Sequence, residues 1–182
     1  MIVNSSNNNF YFTFPTGFFH EDIKCKYKNY VMRNFLPYDT VDTFMAAQIQ
    51  SVTFPTISMD PVQQTRKFGK VQEYKNSTPI ADLFTRDIQV TFKSLDGYIN
   101  YWIFLDNALK YLSFDNKQLY FDDLQMRFLD QDGDIVITTK YQGVFFKGLS
   151  EVSIAYSDNA ASFRTFSCTL GFNKMDIFID HD

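Results

Sequence analysis

Apolar and polar positions alternate over several short stretches of this chain. Phe10, Phe12 and Phe14 alternate with Tyr11 and Thr13, and Pro15, Thr16 and Gly17 follow. This predicts a short strand closed by a turn, because successive strand side chains point to opposite faces. The polar residues 1–9 before it predict an arm. Residues 17–43 show no clean period and predict a long, mildly basic loop carrying Lys24, Lys26, Lys28 and Arg33. Phe44 to Phe54 predicts a strand stopped by Pro55, since proline cannot donate to a ladder. Residues 60–76 predict a polar hairpin, with arms Val62–Phe68 and Val71–Tyr74 around Gly69 and Lys70. It carries little apolar surface, and such a hairpin is marginal alone in water. Gln63, Gln64, Arg66, Lys67, Gln72 and Glu73 are therefore candidate contacts to a partner.

Arg86 to Phe92 alternates cleanly, with Ile88, Val90 and Phe92 on one face. Asp96 is placed to cap a helix over Gly97–Leu112. Apolar residues recur there at helical spacing, so Ile99, Trp102, Ile103, Leu109 and Leu112 are its expected core-facing positions. Gln125–Leu129 and Ile135–Tyr141 flank Asp130-Gln131-Asp132-Gly133-Asp134, and Asp-Gly between two strand-like runs signals a tight hairpin. Leu149–Tyr156 predicts another strand, and Ser162–Ile179 reads as one long closing run. The sum is a single domain over 1–182, about seven strands and one helix. The fold class is mainly β, an antiparallel barrel or sandwich with one flanking helix.

Composition sharpens this picture. The chain has 182 residues, 45% of them hydrophobic, with 21 Phe and 11 Tyr. Aromatic residues favour strands. The net charge of -4 comes without a basic cluster, which argues against a protein that grips nucleic acid. Cys25 and Cys168 are far apart, lack metal-ligand spacing, and are expected to be free thiols. The first residues lack the regions of a signal peptide, and no apolar run reaches the roughly 20 residues of a membrane span. This predicts assembly in a cytoplasm.

Candidate chemistry is sparse. Asp130, Asp132 and Asp134 alternate as in a calcium loop, but Ile135 stands where the sharp-turn glycine belongs and Tyr141 where the closing carboxylate belongs. His20 and Cys25 lack a third, orienting group in the sequence pattern. Asp122 and Asp123 are adjacent and project differently, unlike a glycosidase pair. No cofactor, metal site or catalytic residue is expected, and the chain is expected not to be an enzyme.

Four segments carry a resemblance. Ile49-Gln50-Ser51-Val52-Thr53-Phe54-Pro55 is followed by the polar hairpin, then by Leu83–Phe92, then directly by a helix at Tyr98-Ile99-Asn100-Tyr101-Trp102. Gly143–Ser150 then leads into the closing strands. In order and spacing these resemble the tail-tube proteins of contractile phage tails, related in fold to the type VI secretion tube protein. The segment 17–43 is longer than that family's pattern, and Phe146-Lys147 stands where it has a proline.

The resemblance implies a structural protein of the virion tail. Its copies would form hexameric rings stacked into a hollow tube that conducts DNA without binding it. Sheath, baseplate and tape-measure proteins would be its partners. Alternatives are a tube initiator or baseplate hub-like protein, or a small monomeric binding module. The hairpin would then contact the next ring. Small polar strand faces that include Glu151, Ser153 and Thr165 would line the lumen as an acidic wall.

Overall fold

The computed structural model describes residues 9–32, 38–58, 61–65, 69, 71–74, 85–113, 120–152 and 164–179. Two four-stranded antiparallel sheets face each other across an aromatic core. One sheet has the order β1-β6-β7-β10, from Phe10–Thr13, Leu124–Leu129, Ile135–Gln142 and Lys174–Ile179. The second has the order β2-β5-β9-β8, from Ile49–Thr53, Asp87–Lys93, Thr165–Gly171 and Phe145–Leu149. Among the described residues, β3 (Val62–Thr65) and β4 (Val71–Tyr74) form a separate two-stranded hairpin. Among the described residues both large sheets are open, so the architecture is a sandwich whose edge strands are β1 and β10, β2 and β8.

The mainly β, antiparallel class stands, but three α-helices are present among the described residues rather than one. The expected loop 17–43 contains α1 (Glu21–Met32) and the start of α2 (Val41–Ala46). Ile23, Tyr27 and Val31 recur every fourth residue on α1, and Ile23 and Val31 are buried. The interleaved lysines masked this stripe. Lys24 pairs with Asp42 at 3.4 Å and joins α1 to α2. A reciprocal Thr40–Thr43 capping box starts α2. Phe44, Met45 and Ala46 are thus helical, and the strand expected over Phe44–Phe54 begins only at Ile49.

The third helix, α3 (Ile99–Tyr111), follows a 3-10 turn at Asp96–Tyr98 and starts two residues later than expected. Gly97 and Tyr98 hold left-handed φ values of 67° and 55°, which separate the turn from the helix. The capping side chain expected of Asp96 lies outside the described side chains. Two buried asparagines fix the helix. Asn107 donates from Nδ2 to the Phe18 carbonyl at 2.8 Å and accepts from the His20 amide at 2.9 Å. Asn100 donates to the Lys93 carbonyl at 2.7 Å. Phe104, fully buried, packs its ring on Phe14, Phe18, Phe19, Phe92 and Phe166.

Two further boundaries differ from expectation. Of the strand predicted over Leu149–Tyr156, Leu149 closes β8, residues 150–152 are not strand, and residues 153–156 lie outside the described residues. Bulged pairing with β9 shifts the register of β8 between Phe146 and Gly148. The run Ser162–Ile179 is split between β9 and β10, which belong to opposite sheets. The crossing occurs at Phe172-Asn173, where the Asn173 amide donates to the Gln142 carbonyl at 3.0 Å. The Asp130–Asp134 hairpin is as predicted. Asp130 Oδ1 accepts from the amides of Asp132 and Asp134, each at 2.9 Å, and Gly133 takes φ 91°.

Candidate assembly surfaces

The β2-β5-β9-β8 sheet has two unlike faces. Ile88, Val90, Phe92, Phe166, Cys168 and Leu170 point into the core. Burial among them pushes the Cys168 thiol pKa up, so this sulfur is inert. The opposite face is set by register. Thr91 pairs with Ser167 and Ser51, Gln89 with Thr169 and Thr53, and Lys93 with Thr165. It presents hydroxyls and an amide, and Thr91 and Ser167 approach to 3.2 Å through their oxygens.

Thr165 belongs to this face and is exposed. Glu151 is exposed just beyond β8, and Ser153 lies outside the described residues. The charges the face carries among the described residues are Asp87, Lys93 and Lys147, with Lys147 on Asp87 at 2.6 Å. Among the described residues this face is hydroxyl-rich. At its corner the Phe145 ring covers Gly171, whose Cα could not carry a Cβ without meeting Cζ at 2.4 Å.

The β3–β4 hairpin is exposed along both strands. Val62 pairs with Tyr74, Gln63 with Glu73 and Gln64 with Gln72, and Gln63 Nε2 donates to Glu73 Oε1 at 2.9 Å. Arg66 and Lys67 lie outside the described residues.

Helix α3 departs from expectation. Ile103 is fully buried and Ile99 packs against the core, but Trp102 is 48% exposed, Leu109 61% and Leu112 71%. At about 100° per residue, Asn100, Phe104, Asn107 and Tyr111 cluster on one side and Trp102 and Leu109 lie opposite. The helix is apolar on both sides, so its period could not tell the covered side from the open one.

Several other ionisable groups tie α1 to α3. Asp106 of α3 accepts from Lys26 Nζ and, at 2.6 Å, from the Tyr27 hydroxyl, both on α1. These contacts, Lys26 first, hold its carboxyl below the usual 3.8. Asp22 is lowered likewise by Lys110 at 2.9 Å. His20 takes Asp22 as its neighbour through Nδ1, and Cys25 is an exposed free thiol. Asp123 pairs with Lys140 at 2.5 Å. Tyr111 has a buried hydroxyl without a hydrogen-bond partner, and burial pushes its pKa up to about 12. Among the described residues no group of three or more His, Cys, Asp or Glu could hold a metal ion. Among them, also, no helix is long and apolar enough to cross a membrane.

Sequence patterns missed the apolar ends of the sandwich. Ile177, Phe178 and Ile179 at the end of β10 are exposed, as are Phe54 and Ile57 after β2. A groove of about 520 Å³ runs between β1 and the α2–β2 segment, lined by Phe10, Phe12, Tyr38, Ala46, Ala47 and Ile49 among others. Strand order alone makes these residues edges, and strand order is not readable from spacing.

No protein-family model matches the sequence, and no curated protein matches it. Solved structures do. The tube-terminating cap of the anti-feeding prophage aligns over 98% of this chain and 93% of its own, with a TM-score of 0.54 and 10% identity. The sheath–tube complex of an extracellular contractile injection system aligns over 72% and 80%, with a TM-score of 0.46 and 14% identity. Hcp1 from Flavobacterium johnsoniae aligns over 71% and 84%, with a TM-score of 0.36 and 16% identity. The chain shares the fold of that tube-terminating cap.

Proposed function

We propose that this chain is a ring-forming structural subunit of the tube layer of a contractile tail, seated at the tube's end. The observation that carries this is the β2-β5-β9-β8 sheet, which has one apolar face, one small polar face and, among the described residues, two unpaired edges. Its strands alternate in direction, so β8 of one copy would run antiparallel to β2 of the next. Open edges invite such pairing, and a closed ring uses them up. Six copies would give a hollow ring with the hydroxyl-rich face inward. That face offers DNA few cationic partners, because Lys147 is already engaged by Asp87. The end position is supported by the near full-length likeness to a tube-terminating cap. Sheath-layer, baseplate and tape-measure proteins of the same virion tail are the partners this reading implies.

Microscopy and native mass of the purified protein test it. Closed rings that do not extend are the expected result. A second reading, the repeating subunit of a long tube, is favoured by the hairpin, which is exposed on both strands and suits contact with a following ring. Long stacked tubes would select that reading. Dispersed single copies at all concentrations would refute both.

A further inference from the structure

We infer that the apolar end of β10 docks into the groove beside β1 of an adjacent copy. Register supplies the argument. In the β1-β6-β7-β10 sheet one rung runs Phe12, Met126, Thr139, Ile177, and the next runs Phe10, Phe128, Ile137, Ile179. Directly paired residues share a face, so Ile177 and Ile179 lie on the core side of the sheet, with buried Phe12 and Met126. Yet they are 59% and 69% exposed. They are core-facing residues that extend beyond their own core.

The other end of the same two rungs opens onto the groove. Phe10 and Phe12 line it together with Ala46, Ala47 and Ile49. One side of the sandwich thus carries an apolar overhang, and the opposite side lacks apolar filling at the same height. Rotation about an axis parallel to the strands preserves height. It brings Ile177 level with Phe12 of the next copy and Ile179 level with Phe10. Along the sheet β1, β6, β7 and β10 alternate in direction, so β10 meets the neighbour's β1 antiparallel. The two surfaces differ, which makes the contact head-to-tail and able to close a ring. The side chains of the overhang suit a groove faced by aromatic rings and two alanines.

This inference rests on the ring reading and adds a second contact, made by the other sheet. The test places Ala47→Cys and Ile179→Cys together in a Cys25→Ser background and applies mild oxidant. A ladder of disulfide-linked multimers from the double variant, with neither single variant forming dimers, is the expected result. Dimers from Ile179→Cys alone would show symmetric edge-to-edge pairing and overturn the inference. Wild-type rings without a ladder would overturn it while leaving the ring reading intact. If wild type forms no rings, the ring reading fails, and a head-to-tail ladder in concentrated solution still decides the contact. As a second measurement, Ile177→Ser with Ile179→Ser removes the overhang at exposed positions and spares the fold. It should raise the concentration needed for assembly at least about tenfold. Unchanged assembly would overturn the docking.

Discussion

Truncating Phe104 and truncating Trp102 on the same helix should have very different consequences. Phe104 is fully buried, and its ring packs on five other phenylalanines. Removing it leaves a cavity walled by rigid rings that cannot all collapse, so Phe104→Ala should cost about 3–5 kcal/mol. Trp102 has a side chain of about 250 Å². With 48% exposed, roughly half of it is covered. At about 25 cal/mol per Å², about 130 Å² of cover gives an upper figure of about 3 kcal/mol. The retained Cβ, the compactness of unfolded chains and alanine's better helix propensity reduce this to about 1–2 kcal/mol. No closed cavity forms at a half-exposed site. Urea unfolding at one fixed protein concentration measures both. With a slope of about 2 kcal/mol per M, the midpoints should fall by about 0.5–1 M for Trp102→Ala and about 1.5–2.5 M for Phe104→Ala. Equal losses, or a larger loss for Trp102, would mean that α3 is rotated and the asparagine anchors are misassigned.

Asp106 titrates below the usual carboxylate value, so the stability it contributes is present above 3.8 and is lost as pH falls through its folded pKa. Acid titration below about pH 4 should loosen α1 from α3, and Asp106→Asn should flatten that part of the profile; an unchanged profile would refute the link. Gly171→Ala forces the Phe145 ring off its seat and should cost about 1–3 kcal/mol in thermal unfolding, whereas Gly133→Ala would strain only a turn. Deleting Gln63–Glu73 should leave folded rings, seen by native mass, that fail to engage a following ring; normal engagement would clear the hairpin of that role. Thr165→Lys should assemble normally yet slow DNA release from particles, with added salt restoring the rate, and a block to assembly would place Thr165 at a subunit contact instead.

Legibility in the sequence followed locality. Arg86–Phe92 and the Asp130–Asp134 hairpin were readable because alternation and Asp-Gly chemistry act within a few residues. The hydroxyl-rich face that includes Thr165 was readable for the same reason. Helix α1 was not, because Lys24, Lys26 and Lys28 hid the Ile23–Tyr27–Val31 stripe. The orientation of α3 depended on Asn100 and Asn107, polar residues whose partners lie on the Phe18–His20 segment and the end of β5. A pattern that equates polar with exposed turns that helix the wrong way. The overhang at Ile177 and Ile179 was invisible because it follows from which strands end up at an edge.

The pairing of β1 has a consequence for how the protein is made. Asn9, just before β1, donates to the Asp130 carbonyl, a contact spanning 121 residues. At 5–20 residues per second, β6 leaves the ribosome roughly 6 to 24 s after β1. Phe10, Phe12 and Phe14 must wait through that interval without the sheet that covers them. The second sheet also waits, since β5 needs β9. Folding is therefore governed by late, long-range closure. A nascent chain with so many phenylalanines is a natural client for chaperones, and yield on overexpression should respond more to slowed synthesis than to changes on the surface.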